Sequence, residues 1–285
     1  MKAESDVQTV VFTGPGLTLC RFRCPQGHER WRRENRIVDG HNIAFAEVPV
    51  EIRHADQPAV RIDPSVAAYY NHGDPFRRRQ LHPAGDSGNI FLFDTETLLP
   101  ALARHDPEPD RDRPLSLQAG PVDSGTYLKQ RLLLATVEGR STVDPDWVLE
   151  QALEILEEVL ATSYEARSVP PSEDRRGRDR IEAVKDRLAF EWHRPLTLAE
   201  LATEVGTSVF HLCRSFKRYT GVTVHTYRQC LRLRAGLVRL EQSDTSLADL
   251  ALDLGFSHQS HFTETFRRAF GAPPGKVRKI LREAD

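Results

Sequence analysis

The sequence predicts an α+β chain of two domains: a small β-barrel followed by helices, then an all-α domain carrying two helix-turn-helix units. Three observations predict it. One pattern is written twice between residues 196 and 278, as LATEVGTSVFHLCRSFKRYTG and LALDLGFSHQSHFTETFRRAFG. Short strand-like runs separated by turn residues fill residues 43–94. Between the two lies SYEARSVPPSEDRRGRDR, residues 163–180, polar, Pro-containing and charged, with little to bury. The expected boundaries are therefore a first domain over 1–162, a linker over 163–180 and a second domain over 181–285.

In the repeat, Leu201, Ala202 and Gly206 recur as Leu250, Ala251 and Gly255, and Phe216 and Gly221 recur as Phe266 and Gly271, a period of roughly fifty residues. Leu198, Leu201, Ala202 and Val205 make one helical stripe, and Leu247, Leu250, Ala251 and Leu254 make its copy. Gly206 and Gly255 stand where a left-handed backbone ends each first helix and lets the next one start across it. The second helices carry only narrow apolar stripes, Leu212 with Phe216 and Phe262 with Phe266; their other faces are polar and partly basic. A short helix docked along one edge and polar along the other suits the major groove of DNA, which admits a single helix.

On these residues, together with YRQCLRLRAGLVRL at 227–240 and the trailing Pro273-Pro274-Gly-Lys, the stretch resembles the DNA-binding domain of the AraC/XylS transcription regulators over about residues 181–278. The resemblance implies duplex DNA as a partner, read in the major groove. It further implies RNA polymerase, a small-molecule effector and a second copy of the chain as partners. Carried over residue by residue, it makes 208–219 the first recognition helix, with Ser208 at its start and Phe210, Cys213 and Arg214 at groove-reading positions. Lys217 and Arg218 fall toward phosphate or solvent. The second recognition helix, 258–270, starts at His258 and brings Gln259, Ser260 and Thr263 to the corresponding positions. Arg214 suits guanine and Gln259 adenine; for Arg214 a phosphate contact or salt bridge is the alternative. Glu264 departs from the family, where a basic residue is common: it either accepts from cytosine, weakens the second unit, or pairs with Arg267 or Arg268. Lys276, Arg278 and Lys279 are phosphate contacts or a plain basic tail. A connecting helix over 224–240 would hold the two readers on one DNA face, one turn or ~34 Å apart.

Composition agrees with this. Among 285 residues no apolar run is long enough to span a bilayer and no signal-like head is present, so a soluble cytoplasmic chain is expected. Cys20, Cys24, Cys213 and Cys230 have no metal or disulfide spacing. The formal charge of -2 hides an asymmetry: residues 181–285 hold 16 Lys and Arg against 12 Asp and Glu, a net +4, which leaves -6 for the rest.

The front of the chain alternates as strands over 8–24, with Cys20, Phe22 and Cys24 on one face and Arg21 and Arg23 on the other. In a strand the two thiols stand about 13 Å apart, too far to bridge or share a metal, and read as buried. IAFAEV, VEIRH, AVRID, VAAYYN, FRRRQLH and NIFLFD follow at the even spacing of a small barrel or jelly roll. Tyr70-Asn-His-Gly-Asp-Pro-Phe76 and Pro25-Gln-Gly-His28 resemble turns of the cupin-like effector domain that many AraC/XylS members carry. Metal-binding cupins use His-x-His with a later Glu and His. Here Arg30 and Phe76 occupy ligand positions, so no metal and no other cofactor is expected, and His28, His41, His54, His72 and His82 read as surface or rim residues. His28, Trp31, Phe45, Arg53 and Tyr70 are the candidate effector-lining residues.

Beyond Asp94 the pattern turns helical around a Pro- and Asp-rich loop at 107–114. Asp144-Pro145 supplies an N-cap and a first-turn proline. The following stripe of Val148, Ala152, Ile155, Leu156 and Val159 packs on its own barrel or on a second subunit, and the family pattern favours the dimer. A helix with Ile181, Val184 and Leu188 on one side ends before Pro195, and Thr197 with Glu200 makes a capping box. No nucleophile motif, phosphate loop or paired Cys motif calls for catalysis. The reading is a ligand-controlled DNA-binding regulator and not an enzyme; the alternative is a DNA-binding regulator whose front domain serves only dimerisation or protein interaction, and a metalloenzyme fused to a DNA-binding domain is disfavoured by the missing His-x-His.

Overall fold

The computed structural model describes residues 7–55, 57–140, 142–168 and 175–282. It divides into two units, one over 1–168 and one over 169–274, with 275–285 grouped with the first.

Ten strands build the first unit: β1 (Gln8–Gly14), β2 (Leu17–Cys24), β3 (Asn35–Arg36), β4 (His41–Ala46), β5 (Val50–His54), β6 (Val60–Ile62), β7 (Val66–Tyr70), β8 (Pro75–Gln80), β9 (Asp86–Phe93) and β10 (Ala119–Pro121). They form two antiparallel sheets, ordered β1-β2-β9-β4-β7-β10 and β3-β8-β5-β6. The arrangement is cupin-like, but two facing sheets replace the closed barrel. All six strand-like runs and the early alternation became strands. The very short β3 and β10 were not legible.

Alternation sets the layers. Register pairs Cys20 with Ile90 and Ala44 with Ala68. Cys20, Phe22 and Cys24 accordingly point into the space between the sheets, as does Tyr70 of β7, and Ile52, Ile62 and Phe76 fill it from the second sheet. Both thiols are fully buried and free, and burial pushes both up. The opposite face of the large sheet is covered by α1 (Thr95–Leu102), α2 (Ser124–Glu138) and α3 (Pro145–Ser168). There Tyr69 Oη and Ser163 Oγ share a 2.6 Å hydrogen bond, and Asn89 Nδ2 donates to Gln130 Oε1 at 2.6 Å.

Three expectations need correction. The α3 stripe of Val148, Ala152, Ile155, Leu156 and Val159 is buried within this chain, in a helix packed on β10, α1 and α2, and so is not free to form a dimer. His41 and His54 are buried, at 2% and 8% exposure, instead of lying at the surface or rim. His41 accepts from the backbone N–H of His72 and bonds Thr95 Oγ1; His54 packs on the ring of Tyr70 at 5.0 Å. Burial holds both imidazoles below the usual range. Finally, residues 163–168 continue α3 and 175–180 open the next helix; of the expected linker, 169–174 lies outside the described residues.

The second unit holds α4 (Arg175–Phe190), α5 (Leu198–Glu204), α6 (Val209–Thr220), α7 (Val224–Gln242), α8 (Leu247–Asp253) and α9 (Gln259–Phe270); α10 (Pro274–Arg282) ends the described chain. The Thr197–Glu200 capping box is present in full. Gly206 and Gly255 take φ of +63° and +76°, the left-handed conformation their place in the repeat requires. α7 serves both helix-turn-helix motifs. Its Val224, Tyr227 and Leu231 join Ile181, Val184, Leu188, Leu201, Leu212 and Phe216 in one core. Further along α7, Leu233, Leu237 and Leu240 are buried, as are Leu250, Ala251, Leu254, Phe262 and Phe266 of the second helix-turn-helix.

Candidate nucleic-acid interface

The two recognition helices are built alike. In α6, Ser208 Oγ accepts from the backbone N–H of His211 at 3.3 Å, and the helix ends on Gly221 at φ +77°. In α9, His258 Nδ1 accepts from the N–H of His261 at 3.1 Å, and the helix ends on Gly271 at φ +75°. Ser208 and His258 are therefore first of all caps, each satisfying an orphan donor at a helix start. Leu212 with Phe216, and Phe262 with Phe266, are buried, and this anchoring fixes which face of each helix points outward.

On α6 that face carries Phe210, Arg214, Lys217 and Arg218, all exposed, with Cys213 half-buried beside them. Phe210 is 68% exposed, a large apolar group left in solvent at a groove-reading position. Phe210, Cys213, Arg214 and Lys217 share a concave face of about 480 Å³ with Thr223, His225 and Arg228 of the neighbouring α7 start. Sequence reasoning missed these last three. Thr223 caps α7 by accepting from Thr226 N–H at 3.1 Å, so the positive end of a 19-residue helix opens beside the reading face. The signal was a Thr-x-x-Thr across the start of the connecting helix. Arg228 donates to Leu196 O at 2.8 Å and shapes the rim.

On α9, Gln259, Ser260, Glu264 and Arg267 are exposed and Thr263 is half-buried. Glu264 accepts from Arg268 Nη2 at 2.8 Å. The carboxylate is thus paired on its own helix, with the second of the two arginines considered for it, in a contact of the kind that contributes about 0.3–0.5 kcal/mol at a surface. Lys276 is exposed on α10.

The five effector candidates do not converge. Tyr70 lines the space between the sheets, a cavity of about 50 Å³. Phe45 borders it, but its ring packs edge-on against Phe91 at 5.3 Å. Trp31 packs against the intersheet core, and its Nε1 donates to Pro25 O. His28 Nδ1 accepts from Arg30 N–H to start a short 3-10 turn, and Arg53 faces solvent. The cavity's polar feature is one that sequence reasoning missed, a buried ion pair of Arg78 and Asp86 at 3.0 Å. Arg78 also lies over the Phe22 ring at 4.5 Å. Burial pushes the Asp86 carboxyl above its usual range against the pull of Arg78. The two residues come from different strands, and nothing local in the sequence joins them.

Comparison with known proteins bears on the second unit. A helix-turn-helix domain model matches residues 201–280. The transcriptional regulator GlxA of Rhizobium meliloti is 36% identical over 98 residues, 34% of this chain and 30% of the relative. The probable transcription factor PqrA of Proteus vulgaris is 38% identical over 79 residues, 28% of this chain and 65% of the relative. The second unit thus carries a helix-turn-helix domain similar to those of these transcriptional regulators. A solved AraC-type regulator from Chromobacterium violaceum is 28% identical and covers 37% of this chain and 91% of its own, with a TM-score of 0.33. The chain thus spans about a third of the length of GlxA and just under two thirds of PqrA. Among the described residues, no helix is long and apolar enough to cross a membrane.

Proposed function

We propose that the protein is a sequence-specific transcription regulator that reads duplex DNA with α6 and α9, under the control of a small molecule taken up by the first unit. The observation that carries the DNA reading is the pair of recognition helices on one shared wall, α7, each capped by a side chain at its start and ended on a left-handed glycine, with Arg214 and Lys217 exposed on one and Gln259 and Ser260 on the other. Selection from random duplexes with the full chain is expected to yield a long asymmetric site with two conserved elements. Its affinity should fall steeply with salt as Lys and Arg release condensed counterions. Recovery of no preferred sequence at low salt would reject the reading.

Arg214 and Lys217 should separate by role. Arg214→Ala is expected to cost about 1–3 kcal/mol on the selected site and to relax preference at one base pair. Lys217→Ala should weaken selected and random duplexes alike. Equal losses on both duplexes for both variants would make Arg214 a phosphate contact.

Effector control is supported by the intersheet cavity. Arg78 Nε and Asn42 Oδ1 are buried there without a protein partner among the described residues, and unspent polar groups between aromatic rings suit a small polar molecule. A cavity of about 50 Å³ admits only a few heavy atoms unless the sheets part. A thermal-shift screen of small polar compounds, repeated on Arg78→Met, checks this: a hit whose stabilisation survives the substitution binds elsewhere.

A further inference from the structure

One side chain bonds to both helix-turn-helix units. Arg232, at the middle of α7, donates from Nε to Trp192 O at 2.7 Å and from Nη1 to Gly255 O at 3.0 Å. Trp192 follows α4 and packs on the core of the first helix-turn-helix, whereas Gly255 is the left-handed turn of the second. The junction is close-packed. A Cβ at residue 255 would lie 2.7 Å from Arg232 Nη2 and 3.2 Å from His193 O, so a side chain there would press on the guanidinium, while the φ of +76° favours glycine in its own right.

Two other arginines of α7, Arg228 and Arg239, do less. Arg228, one turn earlier, bonds Leu196 O ahead of α5, and Arg239 pairs with Asp253 of α8 at 2.7 Å. Each reaches one unit only. Arg232 is half-buried, and both of its hydrogen-bond partners are carbonyls. Burial together with the Arg228 charge pushes it down to about 10, which still leaves it charged at neutral pH. Desolvating a cation without a carboxylate partner is a cost, and what the chain obtains for it is a planar fork that spans two backbones, a geometry an ammonium cannot reproduce.

We infer that Arg232 is a positioning residue that fixes the distance and angle between α6 and α9, and so sets the spacing of DNA elements the protein accepts. When two readers sit on one rigid frame, the second element binds at high effective concentration only if the spacing matches. Loosening the frame lowers the best affinity and blunts the preference for one spacing. This inference rests on the proposal that both units read one duplex.

The experiment uses the full chain and the selected duplex, remade with one or two base pairs inserted or deleted between its elements, plus duplexes in which one element is scrambled. Wild type is expected to lose about tenfold or more at each altered spacing. Arg232→Met is expected to bind the native spacing about tenfold more weakly while altered spacings change little, and single-element duplexes should bind as for wild type. Arg232→Lys, which reaches one carbonyl, should fall between the two. Gly255→Ala, which displaces the guanidinium, should reproduce the flattened profile. An unchanged spacing profile in Arg232→Met would overturn the inference, as would equal losses on single-element and two-element duplexes. Circular dichroism controls for folding, and loss of the fold in both Arg232 variants would assign the residue to stability instead of spacing. If wild type itself shows no spacing dependence, the two-reader proposal fails first, and the two failures remain distinct.

Discussion

Phe262→Ala is expected to destabilise the second helix-turn-helix by about 3–5 kcal/mol, the range for removing a fully buried aromatic side chain. Phe262 has no solvent exposure and packs against Phe256 at 5.3 Å and Phe266 at 5.5 Å between ring centroids. A Cβ on Gly236 of α7 would meet Leu254 Cδ1 at 2.9 Å and the Phe262 ring at 3.6 Å, so the ring is packed directly against α7. Such a loss is a large part of the 5–15 kcal/mol that holds a typical domain folded. The same residue fixes which face of α9 points outward. The check is twofold: denaturant melting of the full chain, and binding to duplexes with either element scrambled. The element read by α9 should become dispensable while the element read by α6 still counts. Equal loss of both would mean that the two cores fold as one.

That outcome bears on why the second unit was legible from sequence and much of the first was not. The determinants of the second unit are local. Thr197 and Glu200 are three residues apart, Gly206 and Gly255 follow their own stripes, and Phe262 and Phe266 lie one helical turn apart, so each is a short-range pattern and the repeat writes most of them twice. In the first unit the strands were legible by alternation, but their assembly depends on residues far apart in the chain. Asn89 bonds Gln130 of α2 across 41 positions, and Arg78 with Asp86, though only 8 positions apart, joins strands of different sheets. The α3 stripe shows the limit clearly. Its spacing marks a buried face, and spacing alone is silent on whether this chain or a second copy covers it. Arg232 was unread for the same reason, since a basic residue on a helix of a DNA-binding domain looks like a phosphate contact until its partners prove to be carbonyls.

The first unit's largest expected effect comes from Glu47, a residue with no motif around it. Arg131 of α2 is completely buried, and its Nη1 donates to Glu47 Oε1 at 2.7 Å, across 84 positions of sequence. Removing one partner of a buried pair takes the counter-charge from the other, so Glu47→Gln is expected to cost about 3–5 kcal/mol. In a unit of this size that lowers the melting temperature by roughly 10 °C. The pH dependence follows from the same contact. Burial alone would raise the Glu47 carboxyl, but the Arg131 charge and the hydrogen bonds from Arg131 and Ser87 outweigh it and hold the group below its usual range. A depressed folded pKa means the contribution is fully present above the unfolded value of about 4.3 and is lost as pH falls through the lower folded value. Scanning calorimetry from neutral pH down to about pH 3 should therefore show wild type losing stability in the acid window. Glu47→Gln should start lower at neutral pH and have a shallower acid decline. The double variant Glu47→Leu with Arg131→Met should recover much of the loss, because replacing both partners removes the remaining buried charge along with its desolvation cost. A single variant that melts within about a degree of wild type would mean that the other groups around Arg131 satisfy it without Glu47, and would remove this contact as the link between α2 and the large sheet.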